Sequence, residues 1–326
     1  MLKIENIKKI ILDNLDFYYR VKDEIFKNGV LFCSLNKSFL GDFYINNNEL
    51  VLQDLSGIIF YKNHELKGYY NYMNLKDFTY LETNNNVLCF EQNGNFISTK
   101  IYENVINIGN HYISYDGNKI KFYVSYFNNS NWQFSLESLG TYRNFTNEVV
   151  SYSVMKFVGE YNNRLIIQLS NATLLFLDII NGKTGKIIHL NIEHPILPTC
   201  HYDDSFPPHL VGDQLLWLNN QRYFSINLNT YEIKVVKDYF KEPKENQFRF
   251  MSNTYFEGKL YFVADIGWQY VVPTRIGVMD AETGEVLWQQ QLHKTGGLPE
   301  PPQVTQDKLF IRTTKGTLYI FENEYA

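Results

Sequence analysis

The sequence predicts an all-β chain in which one four-stranded unit is repeated. Three observations carry this. Aromatic residues fill 16% of 326 positions, with 25 Tyr and 24 Phe, and aromatic and β-branched side chains favour pleated, half-buried surfaces. Apolar strand cores start near Leu50, Val87, Tyr112, Leu165, Leu215, Leu260 and Leu309, each followed by a short polar turn and a second apolar run. A strand-turn-strand segment near the C-terminus recurs upstream, and self-similarity at such a period means one unit repeated around an axis.

Taken in order, residues 2–12 put Ile4, Ile7, Ile10 and Ile11 at helical spacing, so residues 1–14 are expected to form a short capping helix or arm. The last apolar run, Thr317–Phe321, leaves the final unit without an outer strand. An open edge there would invite aggregation, and Leu15–Val21 is the expected closing strand. Seven starts give roughly 47 residues per unit, enough for four short strands and turns. The interval from Val87 to Tyr112 is too short for a full unit, so six or eight units stay open beside seven. One domain over residues 1–326 is expected, with the repeats running from residue 15.

The clearest copy is Ile276-Gly-Val-Met-Asp280-Ala-Glu-Thr283-Gly284-Glu-Val-Leu-Trp288. Gly284 supplies the positive-φ position such a turn needs, and Trp288 is too large and apolar to leave wet. Asp178 with Thr184-Gly185 repeats the segment if three extra residues are allowed, which sets His189 in the tryptophan's place. Asn227 to Val235 repeats it with Tyr231 where the glycine would sit. Asn128 to Leu136 shares the Trp-Gln-x-x-Leu ending through Trp132. The pattern resembles the repeat of quinoprotein-type (PQQ-like) β-propellers, most specifically over residues 258–322. The resemblance implies a single propeller, a structural turn at Asp280 and Gly284, a matching turn at Gly185, and Trp288 and Trp132 packed between blades.

Charge and cysteines bound the partners. A net charge of −5 and a pI near 5.8 disfavour nucleic acid and anionic membranes, which need concentrated Lys and Arg. The basic stretch Lys234, Lys237, Lys241 and Lys244 is interleaved with Glu232, Asp238, Glu242 and Glu245, as on a solvated surface. No run approaches a membrane span, and charges interrupt every apolar run of the N-terminus, so a cytoplasmic chain without a secretion signal is expected. On that view Asn-x-Thr triplets such as Asn144-Phe-Thr146 carry no weight. Cys33, Cys89 and Cys200 are scattered and odd in number, which suits reduced thiols.

The long connections are 193–209, 265–274 and 293–302, and all three fall at one end of the sheets. Long loops are usually kept for a use. His201, Tyr202, Asp203, Asp204 and Phe206 sit in the first, and Trp268 and Tyr270 in the second. Aromatics on stiffened backbone suit a protein partner; folding back to plug the loops is the alternative for Trp268 and Phe206. His201, Asp203 and Asp204 lack a second His at metal-ligand spacing, so no metal is expected. No phosphate loop or nucleophile elbow occurs, and no cofactor is expected.

The function expected is therefore non-enzymatic protein binding by a monomer. Signal-less acidic chains of this type resemble cytosolic bacterial immunity proteins that mask a toxin, which gives a narrower expectation. A small-ligand or glycan-binding propeller with hydrolase activity is one alternative. An assembly scaffold of the outer-membrane lipoprotein type is the other.

Overall fold

Why residues 2–12 look helical is visible in how they are paired. In the computed structural model, Ile7–Asp13 is a strand whose register slips at Lys8: Ile7 lies opposite Val21, but Lys9 lies opposite Arg20. The bulge adds one residue to a period of two. Ile7 and Ile10, three apart, thus face the same core with Leu12, while Ile11 faces the other side. No helix forms there, and the expected N-terminal helix is corrected to two strands, Leu2–Ile4 and Ile7–Asp13.

The structure describes the chain outside residues 1, 14–15, 36–40, 47–48, 55–58, 62–63, 67–70, 76–77, 83–86, 92–95, 101–104, 109–110, 116, 124–130, 194–201, 203–205, 267–274, 293–296 and 325–326. For strands between residues 55 and 107, and at positions 46, 49, 112 and 123, only the backbone is described.

Eight four-stranded antiparallel sheets and one two-stranded hairpin follow one another along the described chain, and the fold is β-propeller-like. Two compact units contain them, one of residues 1–102 with 296–324 and one of residues 103–295. The first unit holds the first sheet (Ile7–Ser34), the second (Asp42–Leu66), the third (Asn71–Lys100) and the eighth. The eighth sheet orders Gln303–Val304, Lys308–Arg312, Leu318–Glu322 and then Leu2–Ile4, with Leu2 opposite Ile320 and Ile4 opposite Leu318. The outer strand is therefore Leu2–Ile4 and not Leu15–Val21. Asp16–Val21 is instead the second strand of the first sheet, buried at four consecutive positions as an inner strand is. Removed from the closing role, it supplies the strand core that the seven expected starts lack. Val87 begins a third strand, where the other starts lie in second strands; this explains its short interval to Tyr112.

The second unit holds the fourth sheet (Val105–Ser135), the hairpin Thr141–Ser151, the fifth (Val154–His189), the sixth (His209–Asp238) and the seventh (Phe248–Gln291). Its cores lie between successive sheets. Trp132, Phe122 and Ile113 of the fourth meet Leu165, Ile167 and Leu175 of the fifth. Ile166 and Phe176 of the fifth meet Trp217 and Phe224 of the sixth. Leu218 and Tyr223 of the sixth meet Phe250 and Phe262 of the seventh.

The turn between third and fourth strands is the same in the last three of these sheets. Asp178, Asn227 and Asp280 each end a third strand, and each Oδ1 accepts from the backbone N–H two and three residues on, at 2.8–3.0 Å. The N–H four residues on then donates to the carbonyl of the same Asp or Asn, at 2.8, 2.7 and 2.9 Å. That fourth residue has positive φ each time: Gly182 at 69°, Tyr231 at 61° and Gly284 at 72°. The fifth-sheet turn thus needs no insertion, and its glycine is Gly182, where Gly185 was expected. The dipeptide Thr184-Gly185 only resembles Thr283-Gly284, and Gly185 lies inside the fourth strand. Counting from Gly182 moves the tryptophan's place from His189 to Lys186.

Trp132, in the fourth sheet, packs against the fifth. Its indole Nε1 donates to the Ile179 carbonyl at 2.6 Å, and its ring lies so close to Gly182 that a Cβ there would sit 2.7 Å away. Trp288 is half-buried in the fourth strand of the seventh sheet. It helps line a groove of about 310 Å³ with Tyr239, Phe248 and Gly284.

Candidate protein-binding surface

In each sheet the first strand begins, the second hands over to the third, and the fourth ends at one common end, called here the loop end. The long connections of the second unit leave from it. At this end Phe250 N–H of the seventh sheet donates to Asn220 O of the sixth, and Tyr239 N–H, just after the sixth sheet, donates to Gln221 O, both at 2.9 Å.

Of the seven partner-binding residues expected from sequence, the structure describes Tyr202 and Phe206. Both are buried, to 7% and 3% exposure. Tyr202 packs edge-on against Phe224 in the core between the fifth and sixth sheets, and Arg222 Nη1 donates to its hydroxyl at 3.4 Å. Phe206 joins the next core, and its carbonyl accepts from Gln168 Nε2 at 3.0 Å and Trp217 Nε1 at 2.7 Å. These two aromatics plug the sheets from above, because burying a ring of that size outweighs leaving it wet. Little of either remains for a partner. His201, Asp203, Asp204, Trp268 and Tyr270 lie outside the described residues.

Several charged groups near this end are held in pairs. Arg222 Nε lies 3.3 Å from Asp238, which Lys241 also approaches at 3.6 Å. Arg249 grips Asp265 through Nε and Nη2. Burial of Asp265 pushes its carboxyl above the ordinary range even with Arg249 beside it, since desolvation penalises the charged form. His209 is paired to Asn253 Oδ1 at 2.6 Å, and burial pushes its pKa down. Among the described residues no cluster of three or more His, Cys, Asp or Glu could hold a metal ion. Cys33, in the first unit, is half-buried, and burial pushes its thiol up.

The loop end also exposes apolar side chains. In the second unit the described large hydrophobics that are exposed number eight. Six stand at or near the loop end: Phe145 and Val149 on the hairpin, Met155 and Met251 on first strands, Ile192 after the fifth sheet and Phe240 after the sixth. Ile180 and Leu287 are the others. Met155 and Met251 occupy equivalent bulges, between Val154 and Lys156 and between Phe250 and Ser252. A bulge turns a side chain out of the pleat, and methionine's unbranched chain adapts to varied surfaces. Sequence reasoning missed all six because it sought polar-aromatic loops. The available signal was apolar residues in short polar connections, as in Asn144-Phe145-Thr146 and Asn191-Ile192-Glu193.

A second groove, of about 490 Å³, opens between the sixth and seventh sheets at the opposite end. Leu216, Val236, Tyr255, Lys234 and Asp280 help line it.

No family model and no curated protein matches the sequence. The structure is similar to that of the computationally designed protein Ika8, at 11% identity and a TM-score of 0.62, over 98% of this chain and 96% of that one. It is similar to Hsv2 from Kluyvelomyces marxianus at 10% identity and a TM-score of 0.50, over 78% and 71%. Against BamB from Moraxella catarrhalis the identity is 10% and the TM-score 0.48, over 86% and 96%. At such identities the likeness to Ika8 and Hsv2 is one of fold.

Proposed function

We propose that this chain is a non-enzymatic, cytoplasmic, protein-binding member of the quinoprotein-type propellers, and that the loop end of residues 103–295 takes the partner. One observation carries the reading: six exposed apolar side chains gather at that end of the unit. Exposed apolar side chains grouped at one end suit an interface, where large adaptable anchors such as Phe and Met are buried by a partner. The net charge of −5 favours a basic partner through steering, which is the basis for reading the partner as a toxin masked by an immunity protein.

The test is co-purification from native expression with single substitutions. Ile192→Asp and Phe240→Asp at the loop end should remove the bound protein, while Ile180→Asp at the opposite end should retain it. Retention by both loop-end variants, with loss by Ile180→Asp, would move the site to the other end and end this reading.

A further inference from the structure

Between the fourth and fifth sheets the chain makes a detour outside the four-stranded sheets. After Leu136–Leu139 it forms a two-stranded hairpin, Thr141–Arg143 against Val149–Ser151, before entering the fifth sheet. The base of the hairpin is anchored. Tyr142 packs on Tyr152 with ring centroids 4.9 Å apart, and Tyr152 belongs to the core between the two sheets.

The tip is braced by its own side chains. Asn144 N–H donates to Glu148 O at 3.0 Å, and Asn147 N–H to Asn144 O at 2.9 Å. Asn144 Oδ1 accepts from Thr146 N–H at 3.0 Å and Glu148 N–H at 2.9 Å. The Thr146 hydroxyl lies 2.8 Å from that oxygen and 2.7 Å from the Glu148 carboxylate, which also accepts from Asn144 Nδ2 at 3.1 Å. Arg143 Nη1 donates to Asn147 O at 3.0 Å. Asn147 takes the left-handed conformation, φ 65°, that closes a type I turn into a hairpin. Five polar residues are thus spent on holding a three-residue loop whose first residue is Phe145, 75% exposed.

We infer that this hairpin is a rigid prong that inserts Phe145 into an apolar pocket on a partner protein. The inference rests on the loop-end reading above and names the anchor. A braced loop loses little entropy on binding, and a phenyl ring fills a pocket with few rotamers to freeze; both conditions favour a hot spot. Arg143 and Glu148 leave the tip with no net charge, so the recognising surface is an uncharged apolar pocket. A bilayer is the poorer occupant, since interfacial anchoring needs a wider apolar face and basic neighbours.

The full chain is prepared with the photo-crosslinker p-benzoylphenylalanine at position 145, and separately at position 192. The protein captured is identified, purified and titrated against unlabelled variants. Phe145→Ala should bind about 30-fold more weakly, the factor of a hot-spot side chain, at an unchanged thermal midpoint. Asn144→Ala, which keeps Phe145 but releases the brace, should weaken binding several-fold. If Phe145→Ala binds like the parent while Ile192→Asp does not, the prong is wrong and the loop-end reading stands. If neither position yields an adduct, or both variants bind like the parent, both fall. A blue shift of Phe145→Trp fluorescence on vesicles of phosphatidylcholine and phosphatidylserine would make the occupant a membrane and overturn the proposal.

Discussion

At the junction of the fourth and fifth sheets an indole lies on a glycine; at the next junction a tyrosine takes the glycine's place and a lysine the indole's. Tyr231 holds φ 61°, packs edge-on against Phe176 at 5.2 Å, has Lys186 Nζ 6.0 Å from its ring and accepts from Arg164 Nη1 at 2.5 Å. The aromatic bulk comes from the turn in one case and from the preceding strand in the other. Tyr231→Gly would relieve a left-handed residue, worth about 1–2 kcal/mol, yet remove a packed ring. We expect a net loss, and partial recovery in Lys186→Trp/Tyr231→Gly; equal midpoints for the single and double variants in urea unfolding would refute the exchange. Gly182→Ala should cost about 2 kcal/mol or more, since it adds a left-handed alanine and a contact with Trp132. Gly185→Ala should be nearly neutral, because a Cβ there meets only Phe176 O at 3.6 Å. His209 carries a pH signature. Its pKa is lowered first by burial, with Lys156 adding to the effect against the Asn253 hydrogen bond. Its contribution is full above the ordinary histidine range and is lost as pH falls through that range toward the lower folded value. His209→Gln should therefore flatten the fall in unfolding free energy between about pH 7 and 5; an unchanged slope would show that other groups cause it.

Among the elements, the third-to-fourth-strand turn was legible in its clearest copy because Asp280, Thr283 and Gly284 each have a distinct hydrogen-bonding or conformational job. It was misplaced in the fifth sheet because a Thr-Gly pair can also occur inside a strand. The capping oxygen settles the register: Asp178 and Asp280 are carboxylates and Asn227 an amide, but all three share the acceptor geometry. The N-terminal segment was misread because one bulge at Lys8 converts alternation into a spacing of three. That strand and the eighth sheet are tied by Ile7 N–H to Gly316 O at 2.7 Å and by Arg312 Nη2 to Lys8 O at 2.6 Å. Deleting residues 1–5 should therefore expose Leu318–Glu322 as an edge and promote association. Light scattering that shows a monomer as well behaved as the parent would mean the edge is protected by other means.

For the molecule as a whole, repetition was readable and use was not. Sheets announce themselves through alternation and turn chemistry, which every repeat must satisfy. The end we propose for binding carries departures from the repeat, namely the hairpin, two bulged methionines and apolar residues after fourth strands, and departures follow no period. The clustering of long loops pointed to the same end as the exposed apolar residues, but Tyr202 and Phe206 do not supply the reason, because both serve the core. The pairing of Leu2–Ile4 with Leu318–Glu322 has a temporal consequence. On the ribosome the first of these strands emerges long before its partner, at about 5–20 residues per second, and must stay unpaired for at least some 15 seconds. A chain stalled anywhere before residue 318 can fold several of its sheets but cannot complete the eighth. The hydrogen bonds of Leu2–Ile4 therefore wait for a partner more than 300 residues downstream, and until then nascent chains carry that strand unsatisfied.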